Sequence, residues 1–401
     1  MKNLLISIHN VLLWHLSRYF VYTYIRPKFN FRIADGSDKL PAPPYILLSN
    51  HGTFFDPWFV GHMTQKRLSI MMNEEGYHAP AVTRWYLRSI GTFPKKKGTA
   101  DFKAMKTTIK TLRQGYPVLI FPEGQTTWSG VTQPIYSGIE KIVKKSGTDL
   151  VLNRLEGNFL SKPWWANNYR KGKIILNRRV VKAEELKKLS HEKILKMIIE
   201  YISHNEFNSS NLSEDTFKSD SPASGLNNYL WICPACRTED TLEFLSDSIQ
   251  CSECKKRLEV SPSLRFIDKE KDTRTPLDQV DTIHKEVALK RISEKKEKGV
   301  IISDKSAPMC KTEQNGRISI ISEGELKLFY EELVFSSKTS ETRYQLKDIT
   351  IPVFQKKNIM EFHDKEDRKV CFLFPEKSPM KWIYYIRYIK GFAQKERQGY
   401  Q

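Results

Sequence analysis

Residues 29–204 alternate between short apolar segments that resemble strands and longer segments with the apolar spacing of amphipathic helices. Such alternation is typical of α/β proteins, in which helices cover the faces of a largely parallel sheet. We therefore predict a mixed sheet flanked by helices. The predicted strands are 29–33, 45–49, 68–73, 92–93, 118–121, 150–155 and 173–181, and the predicted helices are 56–66, 80–89, 99–114, 135–146, 182–188 and 191–204.

An apolar and aromatic segment precedes this region and predicts an N-terminal helix within residues 1–28. A helix that spans a bilayer needs about 20 predominantly apolar residues, and Arg18 in its middle would be costly. Tyr19, Tyr22 and Tyr24 suit a membrane interface better than a bilayer centre. We expect an interfacial membrane helix, which makes the protein peripheral or monotopic on the cytoplasmic face. A helix buried against the next domain and a true span are the alternatives.

The net charge of +19 is concentrated in the first half of the 401-residue chain. Residues 1–206 hold 32 Lys and Arg against 15 Asp and Glu, whereas residues 207–401 hold 33 against 31. A basic surface of this size calls for an anionic partner, which can be nucleic acid, acidic lipid or a phosphorylated substrate.

The sequence SNHGTFFD places His51 just after a predicted buried strand and Asp56 five residues later. Functional groups of α/β proteins concentrate at such strand ends. A carboxylate at Asp56 can fix the tautomer of the imidazole and leave its other nitrogen free as a general base. Short pairs of this kind also recur by chance, in which case Asp56 only caps a helix and His51 is an ordinary loop residue.

Three further segments follow in order: GTFPKKKG (91–98), VLIFPEGQTTWSG (118–130) and DLVLNRLEGNF (149–159). Together with the His–Asp pair they resemble the blocks of the glycerolipid acyltransferase family, the PlsC-like family that contains 1-acylglycerol-3-phosphate acyltransferase. The resemblance covers roughly residues 30–205. It implies an α/β acyltransferase core that moves a fatty acyl group from acyl-CoA or acyl carrier protein to a lysophospholipid hydroxyl. It also implies that His51 is the general base and that Asp56 orients it.

The resemblance further implies a substrate site with a basic phosphate-binding part, since Lys binds phosphate as a point charge and Arg binds it bidentately. Glu123 can hydrogen-bond acceptor hydroxyls or can cap its own turn. The family usually has Arg at the positions of Lys97 and Thr126, so this chain departs from the pattern there, and the lysine run can also be a solvated turn. The expected substrate-binding residues are Arg84, Lys95, Lys96, Lys97, Glu123, Gly124, Thr126 and Thr127.

Four cysteines in the second half have the spacing C-x2-C-x14-C-x2-C, which is close to that of a four-cysteine zinc site. We predict a zinc ribbon over 229–262 with one structural zinc per chain, because four thiolates close the coordination sphere. An iron–sulfur centre and redox disulfides are the alternatives. The predicted metal ligands are Cys233, Cys236, Cys251 and Cys254.

The remaining segments complete the predicted organisation. Residues 205–228 are rich in Ser and Asn and are predicted to be a linker. Residues 263–299 are predicted to be a charged connecting segment with a helix near 284–295. Residues 300–395 alternate like short strands and end in an apolar helix, a pattern that resembles a pleckstrin-homology (PH) or GRAM-like module that binds lipid or protein.

We compare three functions on the basis of these features. The first is a membrane-associated acyltransferase of phospholipid biosynthesis or remodelling, whose partners are acidic membrane lipids, a lysophospholipid acceptor and an acyl thioester donor. The second is a catalytically weak lipid-binding adaptor that uses the ribbon and the C-terminal module. The third, a nucleic-acid binder, is disfavoured because the ribbon and the module after it are not basic. The oligomeric state is left open.

Overall fold

The computed structural model describes residues 2–25, 28–77, 79–95, 102–135, 137–297, 299–313 and 315–391. Two compact units make up this part of the chain. The first takes in the described residues up to Trp164 together with Tyr169–Ser219. The second takes in Trp165–Asn168 and the described residues from Asp220 onward.

The first unit contains a seven-stranded sheet and its surrounding helices. Its strands are β1 Phe29–Ile33, β2 Tyr45–Ser49, β3 Ser69–Asn73, β4 Thr92–Lys95, β5 Val118–Ile120, β6 Asp149–Glu156 and β7 Gly172–Val181. Its helices are α1 Lys2–Ile25, α2 Asp56–Val60, α3 Ala81–Ser89, α4 Phe102–Arg113, α5 Ile139–Ser146, α6 Asn158–Ser161, α7 Ala183–Lys188 and α8 His191–Ile202.

The strand order is β1-β7-β6-β2-β5-β3-β4. Strands β6, β2, β5, β3 and β4 run parallel, so their carboxyl ends meet at one edge of the sheet. Strand β7 is antiparallel to β6, and β1 is parallel to β7. The amino ends of β1 and β7 therefore lie at that same edge. The prediction of a mixed α/β sheet is confirmed.

Alternate side chains of the central strands pack into two apolar cores, one on each face of the sheet. Ile46 and Leu48 face a core completed by α4, α5 and α8. Leu47 faces the other core, which includes residues of α2 and α3 and Trp14 of α1. Strands buried on both faces are expected in a parallel sheet covered by helices.

Two segments of the first unit differ from the sequence prediction. The helix predicted over 56–66 is only α2, because Gly61, a poor helix former, follows it directly. The part of the predicted linker 205–228 that lies in the first unit contains two short 3₁₀ helices, Glu206–Asn208 and Glu214–Thr216, and Glu206 and Phe217 are buried there. Some of its polar side chains bond within the segment and others bond to the sheet: Asn205 Oδ1 accepts from the Phe207 N–H at 2.9 Å, and Ser209 Oγ donates to Glu156 Oε2 at 2.6 Å.

Helix α1 packs on the first unit along one side. Trp14 is fully buried, and Arg18 Nη1 donates to the carbonyl of Thr64 at 2.9 Å. The opposite side carries exposed apolar side chains, which are Leu12, Leu16, Tyr19, Phe20 and Tyr24. Among the described residues, no helix has both the length and the apolar character needed to cross a membrane.

The second unit is mostly β-structure. Its elements are β8 Leu242–Phe244, β9 Ser248–Cys251, β10 Arg257–Val260, β11 Arg265–Asp268, β12 Thr273–Pro276, α9 Leu277–Lys295, β13 Ile302–Asp304, β14 Met309–Thr312, β15 Ile318–Ser322, β16 Gly324–Leu328, β17 Glu332–Ser337, β18 Glu341–Gln345, β19 Val353–Gln355, β20 Ile359–His363, β21 Lys369–Leu373 and α10 Met380–Ile389. A five-stranded sheet has the order β12-β11-β10-β9-β8, and two further sheets have the orders β13-β16-β17-β18 and β15-β14-β21-β20-β19.

The β-rich C-terminal part and its final helix are therefore present. The sheet around the cysteines is larger than the ribbon predicted over 229–262, because β11 and β12 from the predicted connecting segment extend it. Helix α9 is also longer than the helix expected near 284–295. It packs on α10 around the buried Asp281, which accepts hydrogen bonds from the hydroxyls of Tyr229 and Tyr384.

Candidate active site and metal centre

Polar residues of the first unit converge on the carboxyl edge of its parallel strands. His51 follows β2, Glu123 follows β5, Asn73 ends β3 and Lys95 ends β4. Because β2, β5, β3 and β4 are consecutive in the sheet, these residues form one row. At about 4.8 Å per strand, roughly 14 Å separates the strand before His51 from the strand of Lys95.

His51 and Asp56 form a hydrogen-bonded pair in this row. His51 Nδ1 lies 2.8 Å from Asp56 Oδ2, and the same oxygen accepts from the N–H groups of Gly52 at 2.7 Å and Thr53 at 2.9 Å. Asp56 is fully buried, whereas 20% of the His51 side chain is exposed. A carboxylate at Nδ1 favours the proton on that nitrogen, so Nε2 is the nitrogen left for proton transfer.

A second contact holds the other oxygen of Asp56. Asn158 Nδ2 donates to Asp56 Oδ1 at 3.1 Å, and both side chains are fully buried. The carboxylate of Glu206 accepts from Gly157 N at 2.6 Å and Phe159 N at 3.1 Å, which fixes the backbone on either side of Asn158. Sequence reasoning missed Asn158 and Glu206. The EGN sequence at the end of β6 was the available signal for Asn158, but Glu206 lay in a segment interpreted as a linker.

Glycine is needed at position 52 because the Asn158 side chain packs closely against its Cα. A Cβ atom at position 52 would lie 2.7 Å from Asn158 Nδ2 and 2.9 Å from Phe159 N. Atoms that close must move apart, so a larger residue would displace Asn158 from Asp56. The glycine after His51 is thus explained by packing around the pair.

Glu123 connects the loop after β5 to the loop of His51. Its Oε1 accepts from the His51 N–H at 2.7 Å, and its Oε2 accepts from the Gln133 N–H at 2.6 Å. Burial raises the pKa of Glu123 well above its usual range, although the two backbone hydrogen bonds act in the opposite direction. Both carboxyl oxygens are therefore used to join main-chain segments.

Thr127 supports the same loop. Its N–H donates to the carbonyl of His51 at 2.7 Å, and its hydroxyl donates to the carbonyl of Val131. The hydroxyl oxygen also accepts from Gly130 N at 3.2 Å. The geometry makes Thr127 a residue that shapes the turn beside His51.

Gly124 and Thr126 lie on the turn between Glu123 and Thr127. Gly124 has a φ of +71°, and its carbonyl accepts from Asn73 Nδ2 at 3.3 Å. Among the described residues, no atom lies within 4 Å of a Cβ placed on Gly124, so space is open there. Thr126 is half-buried on the same turn.

The basic residues expected to bind phosphate are only partly described. Lys95 pairs with Asn73 across β3 and β4, which places it in the row of site residues. Arg84 is half-buried on α3, the helix that precedes β4. Lys96 and Lys97 lie outside the described residues.

The protein interior beside the His51–Asp56 pair is nearly filled. A cavity of about 10 Å³ lies there, lined by residues that include Asn50, His51, Asn158, His204 and Glu206. That volume accommodates about one water molecule. The cavity is too small to hold an acyl chain.

The four predicted metal ligands are brought together in the second unit. All four Sγ atoms lie within 4.8 Å of one another, with 3.8 Å between Cys233 and Cys254 and 3.7 Å between Cys236 and Cys251. Sulfurs arranged tetrahedrally about 2.3 Å from zinc would be about 3.8 Å apart. Disulfide sulfurs would be separated by about 2.05 Å. The cysteines therefore fit one metal ion.

The two CxxC segments have equivalent backbone geometry. Cys233 N donates to Thr238 O and Cys251 N donates to Lys256 O, in each case at 2.9 Å and to the residue five positions later. The residues after the second cysteines, Arg237 and Lys255, both have positive φ, at 65° and 61°. Left-handed backbone is uncommon for residues with a Cβ, so its recurrence marks two matching turns built around the sulfurs.

The first unit is an α/β sheet that carries the hydrogen-bonded His51–Asp56 pair at a strand end. Residues 32–151 match the family model described as Acyltransferase, and this segment includes His51, Asp56 and Glu123. The match supports assignment of the segment to the acyltransferase family. The same residues were singled out from the sequence as parts of the family's blocks.

A curated relative and two solved structures are similar to parts of the chain. The 1-acyl-sn-glycerol-3-phosphate acyltransferase of Streptococcus pneumoniae is 30% identical over 91 residues, which are 22% of this chain. The chain spans about a third, 34%, of that relative's length.

The crystal structure of the 1-acyl-sn-glycerophosphate acyltransferase PlsC from Thermotoga maritima is 19% identical and covers 50% of this chain and 93% of its own, with a TM-score of 0.38. Inner membrane complex sub-compartment protein 3 from Toxoplasma gondii is 13% identical and covers 33% of this chain and 89% of its own, with a TM-score of 0.19. At such low TM-scores, neither similarity supports a functional assignment for this chain.

Proposed function

We propose that this protein is a membrane-associated acyltransferase. It transfers a fatty acyl group from an acyl thioester to the hydroxyl of a lysophospholipid such as 1-acylglycerol-3-phosphate, in phospholipid biosynthesis or remodelling. The observation that carries the proposal is the His51–Asp56 pair at a strand end within the segment that matches the acyltransferase family.

The chemistry needs a base beside the acceptor hydroxyl. His51 Nε2 takes the hydroxyl proton while the oxygen attacks the thioester carbonyl carbon. The carbon–sulfur bond then breaks, and the thiol leaves with the proton returned by His51. Asp56 stabilises the imidazolium that exists between these two steps. A base positioned in this way contributes about 10²- to 10⁴-fold in rate.

The acceptor phosphate is proposed to bind along the row toward β4. Lys95 ends that strand, and Arg84 lies on α3, the helix before it. Lys96 and Lys97, which follow Lys95 in sequence, are included in the proposed phosphate-binding set. The open space at Gly124, beside Thr126, lies between β2 and β4 in the row. In this proposal Glu123 and Thr127 act by shaping the loops, since their polar atoms bond to the main chain. Acyl-CoA and acyl carrier protein are both compatible donors.

The exposed apolar side of α1 supports binding at a membrane surface. Leu12, Leu16, Tyr19 and Phe20 are each more than half exposed, and aromatic side chains favour the bilayer interface. This exposed side supports a peripheral or monotopic protein, which we propose lies on the cytoplasmic face. Flotation with vesicles tests it: removal of residues 1–28 is expected to reduce binding strongly, and undiminished binding contradicts the proposal.

In the second unit we propose one structural zinc held by the four cysteines. The tetrahedral fit of the sulfurs supports zinc, and their separations argue against disulfides in this state. The C-terminal sheets and α10 are proposed to form a PH- or GRAM-like module that contacts lipid or protein.

The decisive experiment offers several lysophospholipids with acyl-CoA or acyl carrier protein to the full-length protein and detects products by mass spectrometry. We expect acylation of at least one lysophospholipid and its loss in His51→Ala. Vesicle binding without turnover for any donor and acceptor would instead support the lipid-binding adaptor.

A further inference from the structure

A basic groove lies in the first unit, away from the residues assigned to acyl transfer. It encloses about 590 Å³ and is lined by residues of the α1 end, the β1 and β7 starts and the 216–218 segment. Four of the lining side chains are lysines and none of those described is acidic. The lysines are Lys28, Lys171, Lys173 and Lys218.

Main-chain hydrogen bonds hold these lysines near one another. Lys171 and Lys218 form a two-way bridge, with N–H to carbonyl distances of 3.0 and 2.8 Å. Lys173 is paired with Asn30 across β7 and β1, and its Nζ donates to the carbonyl of Asn211 at 3.1 Å. Positive charges gathered without acidic partners in the groove repel one another, and a bound anion relieves that repulsion.

The groove is continuous with the exposed side of α1. Phe20 and Tyr24 are stacked with ring centroids 6.5 Å apart, and Lys28 Nζ lies 3.7 Å from the Tyr24 ring centroid. Lys28 also lies 4.8 Å from the ring centroid of Tyr169. An apolar helix side that leads into basic residues is the arrangement by which proteins bind anionic membrane surfaces.

The direction of the strands places this groove at the same sheet edge as the His51–Asp56 pair. Phe29 and Gly172 begin β1 and β7, which run opposite to β2. Only β7 and β6 lie between β1 and β2 in the sheet. Three strand spacings, roughly 14 Å, therefore separate the start of β1 in the groove from the end of β2 beside His51. A membrane contacting the groove would therefore extend along the edge that carries His51.

We propose that the lysine groove binds the phosphate-bearing headgroup of an anionic phospholipid in the membrane, while the exposed side of α1 inserts among neighbouring lipids. The headgroup anchors the protein and is not the acyl acceptor. Lysine suits this role because its ammonium group is a compact charge on a flexible stem that adapts to a mobile headgroup.

The test compares two double variants with the same change in net charge. Lys171→Glu/Lys218→Glu alters exposed groove residues, and Lys187→Glu/Lys188→Glu alters exposed residues of α7 in the same unit. Binding to vesicles of phosphatidylcholine alone, and of phosphatidylcholine with phosphatidylglycerol, is measured by flotation without an acyl donor. The result is thus independent of turnover and of the proposed acyltransferase function.

We expect the wild type and the α7 variant to prefer the phosphatidylglycerol vesicles, and the groove variant to bind them at least about tenfold more weakly. Circular dichroism is expected to show that both variants are folded. If both variants bound the phosphatidylglycerol vesicles equally weakly, the change in net charge would explain the loss of binding, and the proposal would be overturned. Unchanged vesicle binding by the groove variant would also overturn the proposal. If inorganic phosphate then stabilised the wild type but not the groove variant against thermal unfolding, the groove would be a site for a soluble anion.

Discussion

Asn158 Nδ2 lies 3.1 Å from Asp56 Oδ1, on the side of the carboxylate that His51 does not use. Oδ2 is occupied by His51 Nδ1 and by two backbone N–H groups, so both oxygens of Asp56 are fixed. The position of the imidazole therefore depends on the segment after β6 as well as on the loop after β2. This dependence makes Asn158 a positioning residue of the proposed active site.

Asn158→Ala is expected to lower kcat by about 10- to 100-fold, because a hydrogen bond to a charged group is worth about 1.5–3 kcal/mol. Asn158→Asp should lose less activity than Asn158→Ala, because a carboxyl group buried against Asp56 is held protonated and can still donate a hydrogen bond to Oδ1. Steady-state kinetics measures both effects. Wild-type kcat in a folded Asn158→Ala variant would contradict the positioning role.

Gly52→Ala is expected to resemble Asn158→Ala in kinetics, because the added methyl group would lie 2.7 Å from Asn158 Nδ2. Overpacking of this kind costs about 1–3 kcal/mol of stability, which a folded domain can tolerate. Thermal unfolding and kcat are measured together. A Gly52→Ala variant with wild-type kcat would show that the contact between Asn158 and Asp56 is dispensable.

His51→Ala should lower turnover by about 10²- to 10⁴-fold while the protein stays folded, since the imidazole is the proposed base. His191→Ala is the matched control, because His191 is exposed at the start of α8. Product formation and circular dichroism are compared for the two variants. Turnover near that of the wild type in His51→Ala would refute the role of general base.

Glu123→Gln is expected to destabilise the protein most at acidic pH. The amide replaces one acceptor oxygen with a donor, at a cost of about 1–3 kcal/mol. Burial raises the pKa of Glu123 in the folded protein above its value in the unfolded chain. Protonated Glu123 therefore stabilises the fold at a pH below the unfolded-state pKa. This stabilisation is lost as pH rises through the folded-state pKa. Glutamine does not ionise, so the difference in unfolding free energy should narrow as pH rises. A difference in unfolding free energy that widens as pH rises would contradict this prediction.

Metal analysis should find one zinc per chain. Cys236→Ser and Cys254→Ser are each expected to lower the zinc content and the stability of the second unit, because structural zinc contributes directly to folding. Cys310→Ala removes a thiol outside the cluster and should retain the metal. Absence of zinc from the wild type, with all four cluster thiols open to alkylation, would rule out the site.

Local patterns predicted much of the first unit. The bounds of β1 and β2 agree with the predicted strands 29–33 and 45–49, because short apolar runs between loops define them. The closeness of His51 and Asp56 was also predictable, since Asp56 is only five positions after His51 in the sequence. Their chemical role remains a prediction that the kinetic experiments test.

The contacts of Asn158 and Glu206 could not be predicted in the same way. Asn158 reaches Asp56 because β6 pairs with β2, although about a hundred residues separate the two strands. Strand order is a property of the whole sheet and leaves no local signal in sequence. Glu206 was concealed by the Ser- and Asn-rich composition around it, which is typical of loops whether or not they are packed.

The positive φ angles of Arg237 and Lys255 were likewise unpredictable from residue type. Glycine is the usual residue in left-handed backbone, and neither position has it. The cysteine spacing predicted that four sulfurs would meet. The turn after each pair is closed by a main-chain hydrogen bond from Cys233 N or Cys251 N, which leaves no signal in residue type.

The antiparallel direction of β7 relative to β6 has a kinetic consequence. Because it brings the starts of β1 and β7 to the edge that carries His51, a protein anchored there as proposed would meet the proposed lipid acceptor within the plane of the bilayer. Encounter then takes place in two dimensions. The initial rate should follow the mole fraction of acceptor in the vesicle surface, and dilution of the vesicles at constant composition should leave the rate per bound protein unchanged.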